Sequence, residues 1–440
     1  MGCPATPEVV AQNSRPETGF QEQRTAPAWS LTHYTATTFP GLGDKQMRAG
    51  LLNEVGIIYN DPGVFFIGAR FHSRVLCFCL PSASIRNTLL SLANQPENIC
   101  ILRLSALGDA THVVPVVRSI QKHWPGTRIT WIIGKLEHRL LHGLEHVEFI
   151  EFDKRGGWNA VIELRKKLRD RRFDILLHMQ VAARANLLSK LIRAPVRLGW
   201  DRARSRDFHQ VFVRQQVAQV PFQHQVQGFL EFPRALGIKI DEPRWDLPIT
   251  SGALLWVEEQ LCDRQNILLI SPCSSHPRRN WQADRFAAVA DYASSQLGMS
   301  IILSGGPGTL EIETGAAIER AMRSPCLNLV GKDTLEQSKA LLKKAALVIA
   351  PDSGPAHIAS ALGTPVIGLY AATWSRRSGP YNSLDLCVDR FAQAAVKFRK
   401  STAQALRWGT RIEEPGVMDL IEISDVIEKL KVFTPIPYIA

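Results

Sequence analysis

The chain has 440 residues, 45% of them hydrophobic, and carries a net charge of +11, which is enough apolar material for two sizeable cores and excludes a small stapled scaffold. Its eight cysteines are scattered; the only close pair, Cys77 and Cys79, lacks a second half, so neither a zinc site nor a disulfide framework is expected and a reducing cytoplasm fits. The longest apolar stretch, residues 64–80, is interrupted by Arg70, His72 and Arg74, so no membrane span is predicted, and no basic start followed by an apolar run marks a secretory signal.

Residues 1–95 stand apart as an N-terminal extension. Up to about Lys45 the chain is polar, rich in Pro, Thr, Gln and Gly and without sustained periodicity, so it is expected to be largely disordered. Residues 46–95 hold apolar runs but no alternation of strand and helix, and no function is assigned to them.

From Pro96 the pattern becomes regular. Strands are predicted at 99–104, 128–133, 147–152 and 173–179, with helices near 109–122, 158–171 and 182–193; strands alternating with helices imply a parallel sheet covered on both faces. Pro115, inside the first helical pattern, requires a kink or a late start. Between Lys154 and Arg206 the chain places fifteen Lys or Arg against four acids. Such a run is commonly a solvated helix face, and it equally suits a partner rich in phosphate or carboxylate, an anionic membrane surface or a phosphorylated lipid. No nucleic-acid-binding motif accompanies it, so nucleic acid is not expected as a partner.

The first domain is expected to span 96–245, ending in a Pro-rich connection. A second α/β series, 246–395, follows, with strands at 267–270, 300–303, 327–330, 347–350 and 366–370 and helices near 282–297, 309–323, 334–345 and 355–362. Beyond Asp389 the pattern fades until an amphipathic helix near 418–430, within a C-terminal segment 396–440.

Two short segments about 240 residues apart carry the chemistry: Ser105-Ala106-Leu107-Gly108-Asp109 with His112, and Asp352-Ser353-Gly354-Pro355-Ala356-His357. Each lies where an apolar run gives way to a helical pattern, and in open α/β sheets ligands bind at the carboxyl ends of strands, beside the following helix N-termini. Asp352 or Ser353 suits an N-cap, Gly354 allows close backbone approach, and Pro355 suits the start of a helix. Alone, this is an ordinary capped helix. Its companions change the reading: Ser304-Gly305-Gly306-Pro307-Gly308, followed by Glu311 as a partner for ribose hydroxyls, and Ser271 to Trp281, which brings Ser274, Ser275 and Arg279 to the same edge. Three such loops describe a cleft for a nucleotide diphosphate, while the absence of G-x-G-x-x-G and Walker A patterns argues against a dehydrogenase or a P-loop ATPase. Asp109 can serve as a general base if it reaches an acceptor hydroxyl, with His112 one turn along. No Asp-x-Asp occurs, so neither metal nor cofactor is expected, and leaving-group charge falls to Arg279, hydroxyls and helix N–H groups.

From about residue 98 to residue 430 the chain resembles glycosyltransferase family 9, the bacterial lipopolysaccharide heptosyltransferases. The family's opening strand, Ser-x-x-Gly-Asp and nearby His match Leu104 to Asp109 with His112, and its Asp-(Ser or Thr)-Gly-x-x-His matches Asp352 to His357. The resemblance implies a GT-B fold of two facing Rossmann-like domains, and inverting, metal-independent transfer of heptose from ADP-heptose to an inner-core lipopolysaccharide hydroxyl. By that likeness Asp109 is the base, flanked by Gly108 and His112. Ser274, Ser275 and Arg279 would hold the diphosphate, Glu311 the ribose, and Asp352, Ser353, Gly354 and His357 the donor heptose and phosphates. The basic run would suit an acceptor bearing Kdo carboxylates and lipid A phosphates. The enzyme would work peripherally at the cytoplasmic face of the bacterial inner membrane, and the last helix would pack back toward the first domain. Two departures stand out: Arg279-Asn280-Trp281-Gln282 replaces the family's Lys-x-Trp-Pro, and the N-terminal extension has no counterpart. Another donor or acceptor on the same fold, or a nucleotide-sugar-binding protein without catalysis, are the competing readings.

Overall fold

The computed structural model describes residues 95–433 and, as backbone elements, three strands of the extension: β1 (Val55–Tyr59), β2 (Phe65–Phe71) and β3 (Arg74–Leu80). These form an antiparallel meander in the order β1-β2-β3, within a compact unit of its own. The expectation of disorder up to about Lys45 falls outside the described residues, whereas the apolar runs beyond it supply these strands.

Residues 95–433 build two parallel six-stranded sheets. The first comprises β4 (Asn98–Leu102), β5 (Arg128–Gly134), β6 (Val147–Phe152), β7 (Ile175–His178), β8 (Val196–Gly199) and β9 (Gln215–Gln216), in the order β6-β5-β4-β7-β8-β9. The second comprises β10 (Ile267–Ile270), β11 (Ser300–Leu303), β12 (Cys326–Asn328), β13 (Leu347–Pro351), β14 (Val366–Tyr370) and β15 (Val388–Asp389), in the order β12-β11-β10-β13-β14-β15. Central strands are unbroken apolar runs because helices cover both faces: Ile99, Cys100, Ile101 and Leu102 of β4, and Leu268, Leu269 and Ile270 of β10, are fully buried. The chain starts each sheet in its middle, fills one side, then crosses to the other. The switch points therefore lie between β4 and β7 and between β10 and β13, and the two motif segments leave the carboxyl ends of β4 and β13.

Several elements differ from expectation. The first helix runs unbroken from Leu107 to His123 with Pro115 inside it. β8 and β9 were not predicted, being only four and two residues long, and a helix at Phe391–Arg399 stands where periodicity fades. The final helix, Ile423–Val432, lies on the second domain, where the resemblance implies a return to the first: Val426 and Leu430 are buried with Phe286 and Trp281, and the Trp281 indole donates to the Ile421 carbonyl.

The two sheets' domains meet through an apolar seam. One buried cluster runs from Ile99 and Val113 to Val348 and Ile358. Polar ties stitch it: Lys339, fully buried, donates to the Leu140 carbonyl at 3.0 Å, His224 Nε2 to the Gly379 carbonyl at 3.0 Å, and Gln227 to the Tyr381 hydroxyl at 2.6 Å. A lysine without solvent contact is tolerated here because that carbonyl and Glu336, at 2.8 Å, satisfy its ammonium.

Candidate active site

The Asp109 carboxylate sits in the first turn of the Leu107–His123 helix and is held from three directions. Arg103, on the strand's extension, donates to one oxygen, the backbone N–H of Ala106 to the same oxygen at 3.3 Å, and Gln225, at the start of the Gln225–Ala235 helix, to the other. Arg103 is itself fixed by donating to the Met179 carbonyl at 2.7 Å, across the β4/β7 switch point. Asp109 remains partly open to solvent, at 25% side-chain exposure.

Gly108 and Gly354 explain how this turn approaches the second motif. A Cβ on Gly108 would stand 2.5 Å from His357 Cδ2, so only glycine permits the contact. A Cβ on Gly354 would meet Leu107 no nearer than 3.6 Å. The first turns of the Leu107–His123 and Gly354–Ala361 helices thus abut, and the free N–H groups of both lie at one locus.

His112 is buried with its ring centroid 4.8 Å from that of His357, and its Nδ1 has no hydrogen-bond partner among the described residues. Burial, reinforced by His357, His224, Arg103 and Arg377, drives its pKa well down, so it is neutral. His224, at the N-cap of the Gln225–Ala235 helix, accepts from the Val226 N–H at Nδ1, so Nε2 carries the proton it gives to Gly379; burial lowers its pKa to about 4.

Asp352 lies 3.5 Å from His357 Nε2. Burial pushes its pKa up, but His357, the Thr373 hydroxyl and the charge of Arg279 outweigh that and hold it below the usual carboxylate range. Ser353 occupies the N-cap position yet makes no capping bond, and its buried hydroxyl has no partner among the described residues. Pro355 stands in the helix's first turn.

The remaining expected residues fall on the neighbouring loops. Ser274 is buried, its N–H bonded to Asn280 at 2.8 Å and its hydroxyl donating to the His276 carbonyl at 3.0 Å, whereas Ser275 is exposed. Arg279, expected to help hold the diphosphate, is paired with Glu413 at 2.7 Å; its charge still reaches Asp352. Glu311 folds back over Gly308, at the N-terminus of the Thr309–Ala321 helix. Beside it, Asp333 interacts with Ser304 and Ser338, and burial raises its pKa to about 6.

The basic run at 154–206 divides on inspection. Arg197 is turned inward, donating to Phe212, Ile192 and Ser189, while Lys154 pairs with Glu137, Arg171 with Glu148 and Arg204 with Asp201. Arg155, Arg165, Lys166, Lys167 and Arg169 remain exposed on or beside the Gly157–Leu168 helix, together with Trp158 (78% exposed) and Ile162 (50%). No described helix is long and apolar enough to cross a membrane.

Arg103, Gln225, His224, Asp333 and Glu413 were not anticipated. Arg103 is the one with a sequence signal, a charge at the end of an apolar strand; the others act across 29 or more residues and leave no local pattern.

Comparison with known proteins gives a consistent result. The model of glycosyltransferase family 9 (heptosyltransferase) matches residues 161–406. Lipopolysaccharide core heptosyltransferase OpsX of Haemophilus influenzae is 38% identical over 336 residues, covering 76% of this chain and 96% of its own length. Lipopolysaccharide heptosyltransferase 3 of Escherichia coli is 26% identical over 60% of this chain and 81% of its own. Among solved structures, a family 9 glycosyl transferase from Veillonella parvula superposes with a TM-score of 0.63 at 21% identity, over 76% of this chain and 96% of its own. ADP-heptose lps heptosyltransferase II of E. coli superposes with a TM-score of 0.57 at 18% identity, over 76% and 98%; at these identities the likeness is one of fold. The chain therefore belongs to glycosyltransferase family 9 (heptosyltransferase), a glycosyltransferase whose two parallel six-stranded sheets are the Rossmann-like halves of a GT-B fold.

Proposed function

We propose that this enzyme transfers heptose from ADP-heptose to a hydroxyl of the lipopolysaccharide inner core, with inversion, without a metal, and with Asp109 as general base. The observation that carries the reading is the placement of Asp109: oriented by Arg103 and Gln225, partly open to solvent, and one residue from the Gly108–His357 contact with the donor-side motif. Both carboxylates are held by neighbouring donors, but Asp352, on His357 and Thr373, is only 13% exposed against 25% for Asp109, which favours Asp109 as the one base and a single displacement. The names of the relatives support the donor and acceptor classes.

The departing diphosphate would be met by the N–H groups of the Gly354–Ala361 helix, Ser353, Ser274, Ser275 and Arg279, with Glu311 on the ribose. The lack of Asp-x-Asp in the sequence supports metal independence. The acceptor would be drawn from an anionic bilayer surface at the cytoplasmic face of the inner membrane. The Gly157–Leu168 helix supports that, since it starts at the same sheet edge as the Asp109 turn and exposes Trp158 and Ile162 among arginines and lysines.

The test is turnover of the full chain in the presence of a chelator, with ADP-heptose and a panel of truncated lipopolysaccharide acceptors, read as mass gain. A heptose-sized gain on one acceptor is expected. Asp109→Asn should lower turnover by about 10²–10⁴-fold with ADP affinity kept within about twofold; full turnover in that variant removes Asp109 from the role of base. Failure to bind ADP-heptose would overturn the donor assignment.

A further inference from the structure

The first turn of the Gln225–Ala235 helix stands at the seam between the two domains and is held from both sides. At about 100° per residue, Gln225 and Gln227 leave this turn in nearly opposite directions. Gln225 donates to the Asp109 carboxylate of the first domain, and Gln227 donates to the Tyr381 hydroxyl of the second at 2.6 Å. Arg234 fixes the sense of the Gln227 amide by donating to its Oε1 at 2.8 Å, so the NH2 group is the one left for Tyr381. His224, at the N-cap, adds a second tie to the same stretch of the second domain: its Nε2–H donates to the Gly379 carbonyl at 3.0 Å, and its ring centroid lies 5.0 Å from that of Tyr381.

The stretch that receives these bonds is itself tied to the donor-side motif. Asn382 donates from its backbone N–H to the Ser360 hydroxyl at 3.1 Å and from its side chain to the Ser360 carbonyl at 2.8 Å, and Ser360 belongs to the Gly354–Ala361 helix. The backbone at Gly379 is closely packed, since a Cβ there would stand 2.6 Å from Leu384 Cδ2 and 2.7 Å from the Ser375 carbonyl oxygen. A continuous set of contacts therefore runs from the donor-motif helix through Asn382 and Tyr381 to Gln227, and along one helical turn to Gln225 and Asp109. The other side-chain donor on Asp109, Arg103, takes its own anchor from the Met179 carbonyl, in the first domain. Of these two donors, Gln225 is the one whose turn is bonded to the second domain.

We propose that Tyr381, with His224 and Gln227, positions the catalytic base: the second domain, docked on the first turn of the Gln225–Ala235 helix, holds Gln225 where it orients Asp109. Tyr381 is then a positioning residue that acts through Gln225. The inference rests on the reading of Asp109 as base. A base oriented from the donor-side domain is in place only while the two domains are engaged, so the same contact that joins them also arms the reaction. Misplacing a reacting group costs rate rather than affinity, and the contact should therefore show in the transfer step and not in binding.

The test is a double-mutant cycle in the full chain, read as the single-turnover rate of transfer with ADP-heptose and the truncated acceptor that gains mass both saturating. Tyr381→Phe keeps the ring and removes only the hydroxyl; it should slow transfer at least about fivefold, with ADP affinity and acceptor KM within about twofold. Gln227→Leu, made from the other side of the bond, should do the same. In the Gln225→Ala background, itself slowed at least about tenfold, Tyr381→Phe should change the rate less than about twofold, because the link is already cut. Full additivity of the two substitutions would overturn the proposal, as would a transfer rate that both Tyr381→Phe and Gln227→Leu leave unchanged. A loss carried by ADP affinity or acceptor KM would assign Tyr381 to substrate binding and overturn it as well. Asp109→Asn separates the two levels: full turnover in that variant sinks the base reading and the positioning built on it, whereas an inactive Asp109→Asn beside an additive cycle removes the positioning role alone.

Discussion

The indole N–H of Trp245 donates to the carbonyl of Thr111 at 3.0 Å, and that carbonyl is the one Pro115, four residues on, cannot serve because it has no N–H. A proline in the middle of the helix that carries Asp109 is thus compensated by the connection between the two domains. Trp245→Phe keeps the ring's packing on Tyr381, at 5.6 Å between centroids, and removes only the donor. It should cost about 1–2 kcal/mol in urea unfolding. An unchanged midpoint would mean that water replaces the indole.

The two motif glycines should behave differently. Gly108→Ala drives a methyl group toward the His357 ring, which is itself backed by His112; it should lose about 1–3 kcal/mol of stability and, by parting the two helix ends, at least about tenfold in turnover. Gly354→Ala meets nothing nearer than 3.6 Å and should leave the unfolding midpoint within about 0.5 kcal/mol. Equal losses in both would mean that the close approach is not what Gly108 provides.

If Arg279 holds the donor's phosphate as proposed, Glu413 would compete for it. Arg279 and the nearby His276 outweigh burial and hold this carboxylate below its ordinary pKa, so the guanidinium already has a counterion. Glu413→Gln should raise ADP affinity roughly two- to tenfold by calorimetry. A fall instead would show that Glu413 positions Arg279 rather than competing for it.

Acid should weaken the fold from about pH 6.5 downward. His209 and His224 are lowered to about 4 by burial, and His112 and His178 well below the ordinary value for the same reason. Depressed folded-state values mean that the unfolded chain binds more protons, so stability is complete above about pH 6.5 and drains away as the pH falls toward 4. Asp333 has the opposite sign. Its folded pKa, near 6, makes its burial costless in acid and unfavourable as pH rises through that value, so Asp333→Asn should stabilise at pH 8, by up to about 3 kcal/mol, and do nothing near pH 3. Urea midpoints measured across this range check both signs.

Much of the scaffold is readable from residue order because a strand covered on both faces must be apolar throughout. The runs 267–270, 300–303 and 366–370 are the observed strands to the residue. β8 and β9 escaped because Val-Arg-Leu-Gly and Gln-Gln are too short to carry a pattern of their own and are strands only because β7 lies beside β8 and β8 beside β9. The same division holds in the site. Gly108, Asp109 and Asp352 to His357 announce themselves by their place at a strand end, whereas Gln225 reaches Asp109 across 116 residues. Arg279 was legible as a cation on the right loop, but its pairing with Glu413, 134 residues away, was not.

The abutting first turns of the Leu107–His123 and Gly354–Ala361 helices also tie the enzyme's charge inventory to its reaction coordinate. In the resting protein, Asp109 and Asp352 are the internal counterions of two positive helix ends. On the proposed reading, with Asp109 as base, the proton it would take from the acceptor would cancel one of those counterions in the step in which the leaving diphosphate gains negative charge. The helix ends would then exchange one anion for another, keeping the locus close to constant charge from substrate to product.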